Sequence, residues 1–130
     1  MKEPLQTILY VEDDADIAEV TIMTLQELGG FCVVHCNSGR MALDHFARIA
    51  PQLVLMDVMM PEMDGPETLR RLRAHPGGET VPVIFMTARA QIHEQSAYRA
   101  MGALGVIVKP FDPIMLSTQI TDIWEQRDAA

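Results

Sequence analysis

Five short apolar runs alternate along the chain with longer amphipathic segments. The runs are Thr7–Val11, Cys32–Cys36, Leu53–Met56, Val83–Met86 and Val106–Val108. Their length and their β-branched and aromatic content predict strands. Between and after them the pattern predicts helices near Asp14–Leu28, Ser38–Ile49, Pro66–Ala74, Gln91–Ala100 and Pro113–Gln126. Strand–helix alternation repeated five times predicts an α/β fold, a parallel sheet covered by helices on both faces.

The punctuation between these segments agrees. Gly29-Gly30 ends the first helix as a left-handed cap would. Asp14 and Asn37-Ser38 offer amino-terminal caps, and Pro66 suits the first turn of the third helix. Pro76-Gly77-Gly78 reads as a loop before the fourth strand. On the last helix Leu116, Ile120, Ile123 and Trp124 recur on one face and predict a buried stripe. On the first, Ile17, Val20, Leu25 and Leu28 are the expected core stripe. No repeat or low-complexity segment interrupts the chain, and residues 1–130 read as one domain with a frayed end at Asp128-Ala129-Ala130.

Composition narrows the function. The apolar share of 48% supports a contiguous core. No apolar run approaches the roughly 20 residues that span a bilayer, and no apolar core follows Met1-Lys2-Glu3-Pro4 to make a signal peptide. A soluble cytoplasmic protein is expected. The net charge of −8 repels phosphate backbones and argues against direct nucleic-acid binding. Cys32 and Cys36 on one strand would lie about 13 Å apart, too far for a disulfide, and are expected in the core. The four histidines have no metal spacing, and Arg70, Arg71 and Arg73 read as the solvent face of the third helix.

The chemistry lies just beyond the apolar runs. In an open parallel sheet, ligands bind outside the carboxyl ends of the strands. Glu12-Asp13-Asp14 follow the first run, Asp57 the third, Thr87 the fourth and Lys109 the fifth. If the first and third strands are neighbours, three acids crowd one rim. Two such charges about 5 Å apart at an effective dielectric near 20 repel by roughly 3 kcal/mol. The cluster therefore calls for a cation, and hard carboxylate oxygens suit magnesium. Lys109 supplies a positive charge, and Thr87 a hydroxyl donor. Taken singly these residues are ordinary caps and surface groups. Their convergence on one rim is what chance does not explain.

The stretches Ile8-Leu9-Tyr10-Val11-Glu12-Asp13-Asp14, Leu53-Val54-Leu55-Met56-Asp57 with its continuation to Gly65, Met86-Thr87-Ala88 and Val108-Lys109-Pro110-Phe111 resemble the four signature regions of response-regulator receiver domains. The resemblance runs from about Thr7 to Trp124. It implies a flavodoxin-like five-stranded sheet in the order 2-1-3-4-5. It implies phosphorylation of Asp57 by a histidine kinase or histidine phosphotransfer protein, with Mg2+ as cofactor. Asp13 and Asp57 would then ligate magnesium directly, Glu12 through water, and Met59 through its backbone carbonyl. Thr87 and Lys109 would bind phosphoryl oxygens, Lys109-Pro110 would be the family's cis peptide, and Gly65 would fit the turn before the third helix. The resemblance also implies a downstream effector, here unidentified, and chemistry confined to the protein's own aspartate rather than turnover of an external substrate.

One position departs from the family. Many members carry Tyr or Phe three residues before the lysine, and here that residue is Val106. The Thr87 half of the usual switch is present and the aromatic half is missing. Partner docking is expected on a first-helix face formed by Ala15, Ala18 and Ile22, beside the site. Ile114 and Met115 lie off the buried stripe of the last helix. Three other classes share parts of this pattern. A pseudo-receiver that only docks partners would not need the full acid–Thr–Lys set. A phosphatase with an aspartyl-phosphate intermediate usually carries a second Asp two residues after the nucleophile, where this chain has Met59. A flavin or nucleotide carrier would need a phosphate-cradling loop where Glu12-Asp13-Asp14 stand.

Overall fold

The computed structural model describes residues 3–88 and 91–127. Residues 128–130, expected to fray, lie outside them. Strands and helices alternate throughout: β1 (Thr7–Val11), α1 (Ala15–Glu27), β2 (Cys32–Cys36), α2 (Gly39–Ile49), β3 (Leu53–Asp57), α3 (Gly65–Arg73), β4 (Val83–Thr87), α4 (Ile92–Ala100), β5 (Gly105–Val108) and α5 (Pro113–Gln126). The five strands form one parallel sheet in the order β2-β1-β3-β4-β5.

Side chains alternate across the sheet and divide the core in two. Leu9, Val11, Val54, Met56, Val83 and Phe85 face α2 and α3. Ile8, Tyr10, Leu53, Leu55, Ile84 and Met86 face α1 and α5. β3 and β4 are buried along their whole length. Each fully buried Leu, Ile or Val side chain contributes about 1.5–3 kcal/mol by leaving water, so the central strands anchor the sheet. The predicted α5 stripe is in place: Leu116, Ile120 and Trp124 are buried, and Ile123 packs beside them. The Trp124 indole N–H donates to the Glu3 carbonyl (2.8 Å), which ties the amino-terminal segment to α5.

The local signals act as anticipated. Asp14 caps α1 by accepting from the amides of Asp16 and Ile17, and Ser38 caps α2 through the Met41 amide. Gly30 takes the left-handed conformation after α1, at φ 70°. Gly65 has a different reason. A Cβ there would lie 2.6 Å from the Asp57 carbonyl oxygen and 2.9 Å from the Val58 Cα. The start of α3 is pressed against the backbone that follows β3, and only hydrogen fits between them.

Three expectations need correction. Cys36 is buried but Cys32 is exposed, and both are free thiols. β2 is an edge strand, and its face bearing Cys32, Val34 and Cys36 is covered only at the carboxyl end. Arg73 does not simply face solvent. Its guanidinium donates to the carbonyls of Gly78 (3.1 Å), Val81 (2.7 Å) and Gly102 (3.3 Å), joining α3 to the segments before β4 and after α4. Partial burial holds its pKa below the ordinary arginine value.

The third correction concerns α1. Its buried residues are Ala18, Thr21, Thr24 and Leu25, whereas Ile17 (38%), Val20 (46%) and Leu28 (60%) are exposed. The core face is turned by about one residue, roughly 100°, from the expected stripe. Small and β-branched side chains let α1 sit close to the sheet and to α5, which leaves larger apolar residues outside. Ala18 is therefore unavailable for docking, and Ile22 packs partly against the core. Of the expected docking trio only Ala15 is exposed.

Candidate functional site

The strand order reverses between β1 and β3, with β2 on one side and β4-β5 on the other. A crevice forms at such a reversal beyond the carboxyl ends of the strands. Parallel register delivers the reactive residues to it. Val11 pairs with Met56, so Glu12 and Asp57 leave adjacent strands side by side. Asp57 pairs with Met86, which places Thr87 one residue beyond on β4. The Lys109 amide donates to the Thr87 carbonyl (2.8 Å) and fixes the lysine just past β5.

The side chains converge. The Lys109 ammonium donates to Glu12 Oε1 (2.9 Å) and lies 3.2 Å from Asp57 Oδ2. Ligand oxygens of Glu12, Asp13 and Asp57 all lie within 4.8 Å of one another. Glu12, Asp57 and Thr87 are buried, while Asp13 is exposed at the mouth. The Met59 amide points to Asp57 Oδ1 at 3.4 Å, so this residue touches the site through its backbone while its side chain stands in solvent. The peptide between Lys109 and Pro110 is cis, as expected.

Electrostatics follow from this packing. Burial pushes the Glu12 carboxyl above the usual carboxylate range, and the neighbouring Asp57 charge adds to it, against the opposing pull of Lys109. Burial also works against the Lys109 charge. The bonds from Glu12 and Asp57 outweigh it and hold the ammonium above its ordinary value. Three carboxylates facing one ammonium leave two negative charges, which a divalent cation would balance. Hard oxygen donors open to water on the Asp13 side fit magnesium, an ion that keeps several of its waters. The residues present therefore suit the expected ion.

Two side chains here escaped the sequence reading. His35 Nε2 lies 2.9 Å from the Glu12 carbonyl oxygen, and the Tyr10 hydroxyl lies 3.4 Å from Glu12 Oε1. Residue 35 pairs with Tyr10 across β1 and β2, so register brings both to Glu12. No local pattern signals that.

Beside Lys109 an apolar groove of about 490 Å³ runs between α1 and the segment leading into α5. Ile17, Val20, Pro110 and Phe111 line it. Around Val106, which pairs with Phe85, the packing differs from an aromatic switch: Tyr98 of α4 sits edge-on against Phe85, centroids 5.4 Å apart. Ile114 and Met115 are exposed. No helix among the described residues is long and apolar enough to cross a membrane.

Known proteins share this arrangement. A family model described as the response regulator receiver domain matches residues 8–121. The regulatory protein AtoC of Escherichia coli is 43% identical over 110 residues, which are 83% of this chain and 23% of AtoC. An uncharacterized 14.6 kDa protein of Leptolyngbya boryana is 38% identical over 109 residues, covering 84% of this chain and 82% of that one. The structure of the chemotaxis response regulator CheY4 of Vibrio cholerae superposes with a TM-score of 0.84 at 28% identity, over 92% of this chain and 98% of that chain. The chain thus spans about a quarter of AtoC, and it spans 56% of a further relative, the response regulator Rre1 of Synechocystis.

Proposed function

Because this chain belongs to the response regulator receiver family of two-component signalling, we propose that it takes a phosphoryl group from a phosphohistidine onto Asp57. The donor is a histidine kinase or a histidine phosphotransfer protein. The observation that carries this reading is the placement of Asp57: a buried carboxylate, bonded to Lys109, inside a cluster of three acids at the carboxyl rim of the sheet.

In the transfer an oxygen of Asp57 attacks phosphorus in line while the bond to the imidazole nitrogen breaks. The electron pair stays on that nitrogen, which takes up a proton. Lys109 turns from Asp57 to a phosphoryl oxygen, and the Thr87 hydroxyl donates to another. Asp13 and Asp57, with the Met59 carbonyl, would hold magnesium directly and Glu12 would do so through water. When bound, the ion offsets the negative charge on the phosphoryl oxygens. Hydrolysis by water reverses the state, so the chemistry is spent on the protein's own side chain.

The partner's histidine-bearing helix docks in the groove beside Lys109. Ile17 and Val20 supply its apolar wall in place of the expected Ala18 and Ile22. The 130 residues act as one receiver unit in the cytoplasm and pass their state to an effector protein, without binding nucleic acid or membrane themselves.

Incubation with acetyl phosphate and magnesium should add one phosphoryl group by intact mass, and Asp57→Ala should abolish it. Phosphate retained by Asp57→Ala at the wild-type level refutes the assignment. Asp13→Asn should weaken magnesium binding more than Glu12→Gln in calorimetry. Equal losses contradict the roles given to the two acids.

A further inference from the structure

Tyr10 is fully buried in β1, yet its hydroxyl reaches the edge of the phosphorylation site. It lies 3.4 Å from Glu12 Oε1, the same oxygen that accepts from Lys109 at 2.9 Å. The other oxygen, Oε2, accepts from the Asp14 amide at 3.3 Å. A phenylalanine would fill this part of the core equally well. A phenol in a dry position needs a partner for its O–H, and the carboxylate of Glu12 is there.

Phosphorylation changes what Glu12 touches. Lys109 serves Glu12 and Asp57 together in the resting state. To reach a phosphoryl oxygen its ammonium must give up part of that pairing. Glu12 Oε1 would then be a buried acceptor without its strongest donor. We propose that Tyr10 is a positioning residue for this site: its hydroxyl holds Glu12 Oε1 when Lys109 turns to the phosphoryl group, and so keeps the carboxylate directed at the metal. The inference rests on the reading of Asp57 as phosphoacceptor.

The surroundings suit the role. A phenol is protonated at neutral pH and so can donate. The His35 ring packs 5.7 Å from the Tyr10 ring, and its Nε2 lies 2.9 Å from the Glu12 carbonyl oxygen, which fixes the backbone of the residue Tyr10 would hold. The Thr21 hydroxyl of α1 also bonds the phenol oxygen. With its own proton on the Ile17 carbonyl (2.8 Å) it can accept from the phenol, which therefore has two acceptors, Thr21 and Glu12.

The test is magnesium calorimetry on wild type, Tyr10→Phe, Glu12→Gln and the double variant, each with and without beryllofluoride as phosphoryl mimic. Tyr10→Phe should raise the apparent magnesium Kd by about 10-fold or more with the mimic, the loss of one hydrogen bond to a charged group. Without it, with Lys109 still on Glu12, the change should stay under about 2-fold. In the Glu12→Gln background the substitution should have no further effect. A purely structural role would weaken both states alike, or persist without the Glu12 charge, and either result overturns the proposal. Wild type that binds no magnesium overturns the phosphoacceptor reading along with it, whereas wild type that binds beside an indistinguishable Tyr10→Phe overturns the Tyr10 role alone. Should Tyr10→Phe not fold, the wild-type protein decides. The Tyr10 ring-carbon resonance next to the hydroxyl should shift on beryllofluoride addition, and an unmoved resonance refutes the role.

Discussion

Gly65→Ala should damage both stability and phosphorylation, for a reason that lies in one contact. The added methyl would stand 2.6 Å from the Asp57 carbonyl oxygen, 2.9 Å from the Val58 Cα and 3.1 Å from a Phe85 ring carbon, where ordinary contact begins at 3.4 Å. Two of these neighbours are backbone and cannot rotate away. The Gly65 amide also donates to the Val58 carbonyl at 2.9 Å, which draws the two segments together. The methyl must therefore push the start of α3 and the peptide after Asp57 apart by most of an ångström. Overpacking of this kind costs about 1–3 kcal/mol. Alanine regains up to about 1 kcal/mol as a helix former, and less than that in the first turn. A net loss of about 1–2 kcal/mol should lower the melting temperature by on the order of 5 °C. The effect on chemistry should be larger, because misplacing a reacting group by 1 Å costs up to about 100-fold in rate. Thermal melts by circular dichroism and the time course of acetyl phosphate labelling measure the two effects. Gly30→Ala is the control. It sits at φ 70° with nothing within 4 Å, so it should cost about 1 kcal/mol through backbone strain and leave the labelling rate alone. A Gly65→Ala protein as stable and as readily labelled as wild type would refute the reasoning.

Other outcomes test separate parts of the structure. Arg73→Met should lose about 2 kcal/mol in urea unfolding, because three backbone carbonyls lose a charged donor; a change below about 0.5 kcal/mol would show the clamp to be idle. Glu67, bonded to Arg70 and Arg71, has its pKa lowered from the ordinary carboxylate value of 4.5 to about 2. A depressed carboxylate stabilises the fold above its ordinary pKa, and that contribution is lost as pH falls from about 4.5 towards 2. Carboxyl NMR should follow the titration, which should move back towards the ordinary value in high salt since the pair is exposed; ordinary titration at low salt contradicts the pairing. With beryllofluoride bound, the Thr87 hydroxyl should move towards the mimic and shift the backbone leading into α4, while Val106 keeps its rotamer. A structure in which Thr87 stays put, or in which Tyr98 leaves Phe85 for the space beside Val106, refutes that account of the switch.

Much of this protein is settled by sequence alone, and the reason is the periodicity of a parallel sheet. Each strand here is a short apolar run, and each run ends where the chain must leave the core. The first polar residue after it therefore lies at the rim. Glu12, Asp57, Thr87 and Lys109 are legible as a set for that reason, before any contact between them is known. Caps such as Asp14 and Ser38 are equally legible, because they act on amides two or three residues away.

What needed the tertiary structure was everything decided by a neighbour distant in the chain. The face of α1 that meets the core is one such case. Apolar residues lie all around this helix, so its own pattern does not fix its rotation. The close approach to the sheet selects Ala18 and Thr21 for burial and leaves Ile17 and Val20 outside. Arg73 is another, since its three carbonyl partners come from segments that only the fold assembles. Tyr10 and His35 are the third. Each is an unremarkable strand residue in the sequence, and each meets Glu12 because register sets β2 against β1 and because Lys109, 97 residues along the chain, closes the same pocket from β5. Local spacing fixes which residues arrive at the rim. Packing and register fix which atoms they find there, since those distances depend on strand order and helix rotation, which no single segment encodes.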